Sequence, residues 1–514
     1  MTFSRRVRLA ASASLASLVA CAPAPTLTAD TAEPAPASST IVGDTATAAG
    51  ATVDATAAPR QRDPPAHPAW VIIGAVTGPT MNQVSIEEEV AAVEALLGPD
   101  RGILLYAGGP ATRGVLVSGR PDEAPPTDPL LVAVSDLVGF TNLVDSHYRP
   151  LVVTPHDPAT PDLIRTHLAH AFGSPGDTLT VWLAGHGDQA ASASEASVGT
   201  WGGGTFNAKM LDELLLADRS GRPVQLIATQ CFGGGFADAL IAHPERACGA
   251  FAAVWDLPAS GCDPDPDAPR TSYGVHLRAA LAGEVTVHDL DGNGVIGLSE
   301  AHVSAVLAVS GIDVPTLSSQ YLIERAAPPD LMPADLKADA SRTTDASLPA
   351  HLLEERYLVD TLLTRLGLTV ATFDQAHEAA SLALDAFDEE ALPLAEALDS
   401  SAAEARGRLL AQWPELADAW HPDFTPTLTN HRAAITRFFD SSPEVALWLS
   451  RRAEYDEADG KRHELEVKLR ALDRVDVNLE TMRNASRAFE NPDLLEAFLS
   501  LRQCERAPVA MRRP

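Results

Sequence analysis

The chain has 514 residues, 46% of them apolar and 5% aromatic, and a formal net charge of −31. That length supports two or three domains with substantial cores, and the residue balance is that of a globular protein. An acidic excess this large, without clustered Lys and Arg, argues against a nucleic-acid partner and reads as a soluble surface kept apart by self-repulsion.

The chain opens on a targeting pattern. Arg5, Arg6 and Arg8 form a basic stretch, and the apolar run after them, residues 9–20, is too short for a permanent spanning helix. It ends Leu18-Val19-Ala20-Cys21, which resembles the bacterial lipoprotein signal. The resemblance implies a lipoprotein signal over residues 1–21 that is cut before Cys21, leaving Cys21 lipidated as the new N-terminus, with export and membrane contact through that anchor only. The alternatives are a plain secretory signal and, from Ser4-Arg5-Arg6, twin-arginine export. Residues 22–66 are Ala/Thr/Pro/Ser-rich without periodicity and read as a disordered tether.

The fold is expected to begin with a buried strand over 69–74, followed by a helix over 86–97 with Glu87, Glu88 and Glu89 in its first turn. A second strand follows over 102–106, with a loop at 121–129 and a helix from Thr160-Pro161 to about 172. A strand over 180–185 runs into His186-Gly187, and a Gly/Ser-rich loop covers 188–205. A helix over 207–217, a strand over 224–231 ending in Cys231, a helix over 236–242 and a strand over 251–255 complete the series. Strands alternating with helices predict an α/β domain, residues 67–326, built on a mostly parallel sheet with helices on both faces.

Two of these strands end in residues that carry chemistry. Val181-Trp182-Leu183-Ala184-Gly185-His186-Gly187 delivers an imidazole, and Val224-Gln225-Leu226-Ile227-Ala228-Thr229-Gln230-Cys231 delivers a thiol, 45 residues later. Open α/β sheets build their sites at the carboxyl ends of strands, and an imidazole beside a thiol can take its proton or stabilise the thiolate. The pair resembles the caspase-like cysteine peptidases, the superfamily of caspases, metacaspases, legumain and gingipains, whose catalytic residues are about 50 residues apart in caspases. The flank Thr229-Gln230-Cys231-Phe232-Gly233 departs from both the caspase and the legumain patterns. The resemblance implies a caspase-like sheet and an endopeptidase acting on a protein or peptide substrate. Cys231 would be the nucleophile and His186 the acid toward the leaving amine, with backbone N–H groups of Gly187 and Cys231 holding the oxyanion. Asp188 is a weaker candidate for meeting a basic substrate side chain, and His156, His243 and His276 read as surface residues.

A second motif is Asp289-Leu-Asp-Gly-Asn-Gly-Val-Ile-Gly-Leu-Ser-Glu300. It matches the twelve-residue EF-hand loop: Asp289, Asp291 and Asn293 supply side-chain oxygens, Gly294 the turn, Val295 a backbone carbonyl and Glu300 a bidentate carboxylate. One structural calcium ion is expected, between helices over 273–281 and 299–309; no organic cofactor is called for. The alternative for this motif is a vestigial loop held by hydrogen bonds without metal. Once the chain is exported, Cys248 and Cys262, which enclose a Pro/Asp-rich loop, become a possible disulfide, while Cys504 has no evident partner.

Residues 327–350 read as a linker and 351–514 as a helical region. Leu358, Val359, Leu362, Leu363 and Leu366 form one apolar stripe at helical spacing; Leu465, Leu469, Leu472 and Leu479 form another. That region shows no catalytic constellation. Two rivals to the enzyme remain: a calcium-binding pseudopeptidase that acts as a partner-binding envelope lipoprotein, and an envelope scaffold whose cysteines serve redox or structure.

Overall fold

The computed structural model describes residues 62–119, 128–140, 146–326 and 351–509. The signal with Cys21, nearly all of the tether and the 327–350 linker lie outside the described residues.

The first apolar run forms β1 (Trp70–Ala75), buried throughout, then α1 (Val84–Leu97) and β2 (Gly102–Tyr106). Next, β3 (Val115–Ser118) pairs antiparallel with β4 (Ser146–Arg149). Between them lies α2 (Pro129–Val138), whose N-cap Asp128 accepts from the Leu130 N–H. The loop expected over 121–129 stops short of Pro129, because Pro at a first helical position starts a helix. The chain continues with α3 (Pro161–Gly173) and β5 (Leu179–Gly185).

The expected 188–205 loop instead holds most of a small antiparallel sheet, β6 (Gly187–Asp188), β7 (Ser197–Thr200) and β8 (Gly204–Asn207). Its strands are too short and too Gly/Ser-rich to show alternation. After α4 (Ala208–Ala217) come β9 (Val224–Ala228), α5 (Ala237–Ile241) and β10 (Ala247–Phe251). β10 begins four residues before the strand expected from the apolar run. Pairing with β9 in the register Ala247 to Val224 fixes its start. The α/β part closes with α6 (Tyr273–Leu281), α7 (Leu298–Ala308), β11 (Thr316–Leu317) and α8 (Ser318–Ala326).

The main sheet has the order β11-β10-β9-β5-β1-β2 and is parallel except for β11. Its core strands are buried on both faces, as a parallel sheet requires. Alternate residues serve two cores. Trp70, Ile72, Trp182, Ala184 and Ile227 pack under α1, α6 and α7, while Val71, Ile73, Val181 and Leu183 pack on α3 and α4. The chain leaves β1 for β2 on one side and returns to β5 on the other. The carboxyl ends of β1 and β5 therefore flank a topological switch point, where open sheets bind ligands.

The C-terminal region is helical: α9 (Leu353–Leu366), α10 (Val370–Gln412), α11 (Phe424–Asn430), α12 (Arg432–Ser441), α13 (Pro443–Ala488) and α14 (Pro492–Glu505). Ion pairs Asp374–Arg483, Asp388–Arg462 and Arg408–Glu444 run in opposite order along α10 and α13, so the two long helices are antiparallel.

This region shares a core with the α/β part. Leu358, Val359, Leu362, Leu363, Leu469, Leu472 and Leu479 pack with Val303, Val306, Leu322 and Ile323. Cys504 on α14 forms a disulfide with Cys248 on β10. The expected Cys248–Cys262 pair is thus corrected. Cys248 faces the core shared with α14, whereas Cys262 packs against the core on the α1 side, 3.5 Å from the Gly185 carbonyl oxygen.

Candidate active site

Gly185 ends β5 with φ +134, and a Cβ there would lie 1.9 Å from the Ala75 carbonyl oxygen, so only glycine fits. The chain then turns His186 off the strand end. β5 and β9 pair in the register Leu183 to Ala228, and the Thr229 N–H continues the ladder onto the Leu183 carbonyl at 2.9 Å. The strand pairing ends there, and His186 and Cys231 each lie three residues beyond its last pair, Cys231 already in the turn after β9. Partners in a parallel pair share a face, and Trp182, Ala184, Ile227 and Cys231 all belong to the core on the α1 side. A Cβ on Gly187 would fall 1.8 Å from the Cys231 carbonyl oxygen, so the two backbones touch.

The Gly199 N–H donates to the His186 carbonyl at 2.9 Å, while the His186 N–H donates to the Ala75 carbonyl at 3.3 Å. In a trans peptide the next N–H points opposite to the carbonyl, so the Gly187 N–H points away from β7. Phe232, directly after the cysteine, is held in the left-handed region at φ 58, and its N–H donates to the Leu257 carbonyl at 2.9 Å. A non-glycine residue held there marks a tight, over-determined turn.

The His186 ring has a defined tautomer. Its Nε2 lies 3.0 Å from the Met81 carbonyl oxygen, an acceptor only, so Nε2 carries the hydrogen and Nδ1 is the basic nitrogen of the neutral ring. Met81 is thus the orienting group that sequence reasoning could not find, because a backbone carbonyl leaves no residue signature.

Both side chains are covered: His186 is 3% exposed and Cys231 1%. The cover on the sulfur is the segment 257–263. The Ala259 N–H donates to Cys231 Sγ at 3.3 Å, and the thiol lies 3.4 Å from the Ala259 carbonyl oxygen. Asp313 pins this segment by accepting from the Ser260 N–H, and it also accepts from the Tyr273 N–H at 2.6 Å. Burial raises the Asp313 carboxyl to about 6 against those bonds. Arg474 of α13 in turn donates to the carbonyls of Gly311 and Asp313, at 3.1 and 2.8 Å. The helical region therefore grips the loop that holds the cover.

The other sequence candidates separate from this pair. Half-buried Asp188 accepts from Ser197 Oγ at 3.2 Å, and burial raises its pKa. His156, expected at the surface, is buried; its Nδ1 accepts from the Leu104 N–H at 3.0 Å, and burial lowers its pKa to about 4. His243 is half-buried with Nε2 3.0 Å from Asp212.

The acidic loop folds as a tight set of turns. Carboxylate oxygens of Asp289, Asp291 and Glu300 all lie within 4.8 Å of one another. Asp289 accepts from the N–H groups of Gly292 and Gly294, each at 2.8 Å, and Gly294 has the positive φ its turn demands. Asn293 donates to Asp291 at 2.9 Å and accepts from the Val295 N–H at 2.7 Å. Buried Glu300 accepts from Leu290 and Gly297 N–H groups, at 2.7 and 3.0 Å. α6 ends at Leu281, where Gly283 adopts φ +71, so the loop follows a turn rather than an entering helix. Three carboxylates converging this closely repel one another, and a hard divalent cation is what such an oxygen set accepts.

Compared with known families, the chain matches no family model, and a search of curated proteins finds no match.

Proposed function

We propose that the protein is a cysteine endopeptidase anchored in the bacterial envelope through a lipid on Cys21, with Cys231 and His186 as its catalytic dyad. The observation that carries the reading is the β5–β9 register, with Gly187 against the Cys231 backbone. It brings the two strand ends that carry the imidazole and the thiol into backbone contact at the carboxyl end of the sheet.

In this reading the Cys231 sulfur attacks the carbonyl carbon of the scissile bond. The Gly187 N–H, with that of Cys231, holds the developing oxyanion. Nδ1 of His186 takes the thiol proton and returns it to the departing amine, and water then hydrolyses the thioester with the same nitrogen as base. The Met81 carbonyl keeps the ring in the tautomer this requires. The form described is latent, because a substrate reaches the sulfur only after the segment 257–263 withdraws. Asp289, Asp291 and Glu300, with Asn293 and the Val295 carbonyl, would hold one calcium ion, whose contribution is to neutralise their charge.

The second reading is a calcium-binding pseudopeptidase. It is favoured by the 1% exposure of Cys231 and by the Thr229-Gln230-Cys231-Phe232 flank. The test pairs covalent labelling by an electrophilic peptide with peptide-library cleavage, on wild type and Cys231→Ala, with and without calcium. Labelling at Cys231 and cleavage by wild type alone support the peptidase. Binding of a partner without labelling or cleavage supports the pseudoenzyme.

A further inference from the structure

In the helical region, α9, α10 and α13 enclose a slot of about 340 Å³, within the size range of small-ligand sites. We propose that it binds a fatty acid, with the alkyl chain in the slot and the carboxylate on Lys468.

The slot follows from residue size. Ala376, Ala379, Ala380 and Ala383 recur at i, i+3, i+4 and i+7 on α10, so that face of the helix ends at its Cβ atoms. On the other side α13 offers Leu465 and Leu472, two turns apart, with Lys468 between them on the same face. Ala380 and Leu472 are buried and form the floor, while Ala379 and Ala383 are exposed at the mouth. Every wall residue except Lys468 is alanine or leucine, a lining that favours hydrocarbon over water.

Volume and charge decide which hydrocarbon. A helix about 10 Å across would fill this space in less than one turn of about 5.4 Å, so the slot suits a single extended chain and not a partner helix. Lys468 fixes the sign of the head group. The other Lys and Arg side chains of residues 461–470 have carboxylates of their own: Lys461 pairs with Glu457 at 2.6 Å, Arg462 with Asp388 at 2.8 Å and Arg470 with Asp473 at 2.9 Å. Exposed Lys468 has neither an ion pair nor a hydrogen bond among the described residues, in a chain of net charge −31. One unpartnered cation at the edge of an apolar slot complements an amphiphile with one anionic end. The site uses no residue of the dyad and does not rest on the peptidase reading.

The test is calorimetric titration of the full-length protein with sodium dodecanoate. One molecule is expected to bind per chain, and decanoate, shorter by two CH₂ groups, should bind roughly tenfold more weakly. Lys468→Gln should weaken dodecanoate about fivefold, the upper end of what an exposed ion pair contributes, and leave uncharged 1-dodecanol unaffected; Lys468→Arg should keep wild-type affinity. Ala379→Leu and Ala383→Leu fill the slot from exposed helix positions, where leucine is well tolerated, and each should weaken both ligands at least tenfold without lowering Tm. Absence of saturable dodecanoate binding, equal affinity in wild type and Lys468→Gln, or affinity that survives both leucine substitutions overturns the assignment. So does a synthetic amphipathic helix that binds wild type but not the leucine variants while dodecanoate does not bind, since the groove then belongs to a protein partner.

Discussion

Gly187→Ala tests the contact on which the dyad depends. The new Cβ would start 1.8 Å from the Cys231 carbonyl oxygen, against an ordinary contact of 3.4 Å or more. The two backbones must therefore part by well over an ångström, because neither atom belongs to a flexible side chain. Overpacking of this kind costs about 1–3 kcal/mol, which a chain with this much core survives. Catalysis is less tolerant, since a misplacement of about 1 Å can cost roughly 100-fold. The expected outcome is a folded variant with a modestly lower Tm whose Cys231 is labelled by an electrophilic peptide about 100-fold more slowly. Gly233→Ala is the control, because its Cβ would sit 3.2 Å from the Ala228 carbonyl oxygen, tight but within the reach of small adjustments. A Gly187→Ala protein that labels and cleaves at the wild-type rate would show that His186 and Cys231 do not work across this contact.

Three further outcomes can be read from stability. Saturating calcium, at about 100 times its Kd, should stabilise the fold by about 2.7 kcal/mol, and Glu300→Gln should remove most of that gain; a Tm indifferent to calcium and chelator would dismiss the metal site. Removing the Cys248–Cys504 disulfide with the paired Ala substitutions should cost up to about 5 kcal/mol in denaturant titrations. The bond spans 256 residues, so it restrains the unfolded chain strongly. At Glu354, burial alone would raise the carboxyl, but Arg502 and Arg506 overcome it and hold the pKa near 2. A depressed acid contributes stability that is present above pH 4.5 and is lost as pH falls toward 2, here about 3 kcal/mol. Glu354→Gln should flatten that part of the pH–stability curve, and an unchanged slope would refute the assignment.

The parallel sheet is legible because its strands are continuous apolar runs with glycine or proline at their ends: the expected 102–106 matches β2 to the residue, and the bounds expected for β1 and β5 differ by one. His186 and Cys231 were legible as strand-end residues. What covers them was not. Met81, Ala259 and Asp313 act through backbone groups or across long sequence separations, and nothing in their local pattern announces it. The disulfide was misassigned for a related reason. Proximity in sequence favoured Cys262, whereas the β10 side chain faces a helix 256 residues away. β7 and β8 hid in a Gly/Ser-rich stretch whose pairing is fixed by contact with the strand end after His186.

The helical region shows where composition misleads most. A Pro/Asp/Ala-rich stretch before it suggests a separable module, yet α14 completes the α/β part. Glu505 accepts from Ser318 Oγ at 2.7 Å and from Ser319 N–H at 2.8 Å; Gln225 of β9 donates to the Cys504 and Ala507 carbonyls at 2.9 and 3.0 Å. Cutting the chain after Ala326 would strand these groups and uncover Val303, Val306, Leu322 and Ile323. Re-exposing four such side chains costs about 1.5–3 kcal/mol each, which together approaches the 5–15 kcal/mol that holds a whole domain. A fragment of residues 62–326 is therefore expected to lack a cooperative unfolding transition and near-ultraviolet circular dichroism. A soluble fragment that unfolds cooperatively and is still labelled at Cys231 would refute this. The helices would then be an accessory to the sheet, and Arg474 could not be what secures the cover over the thiol.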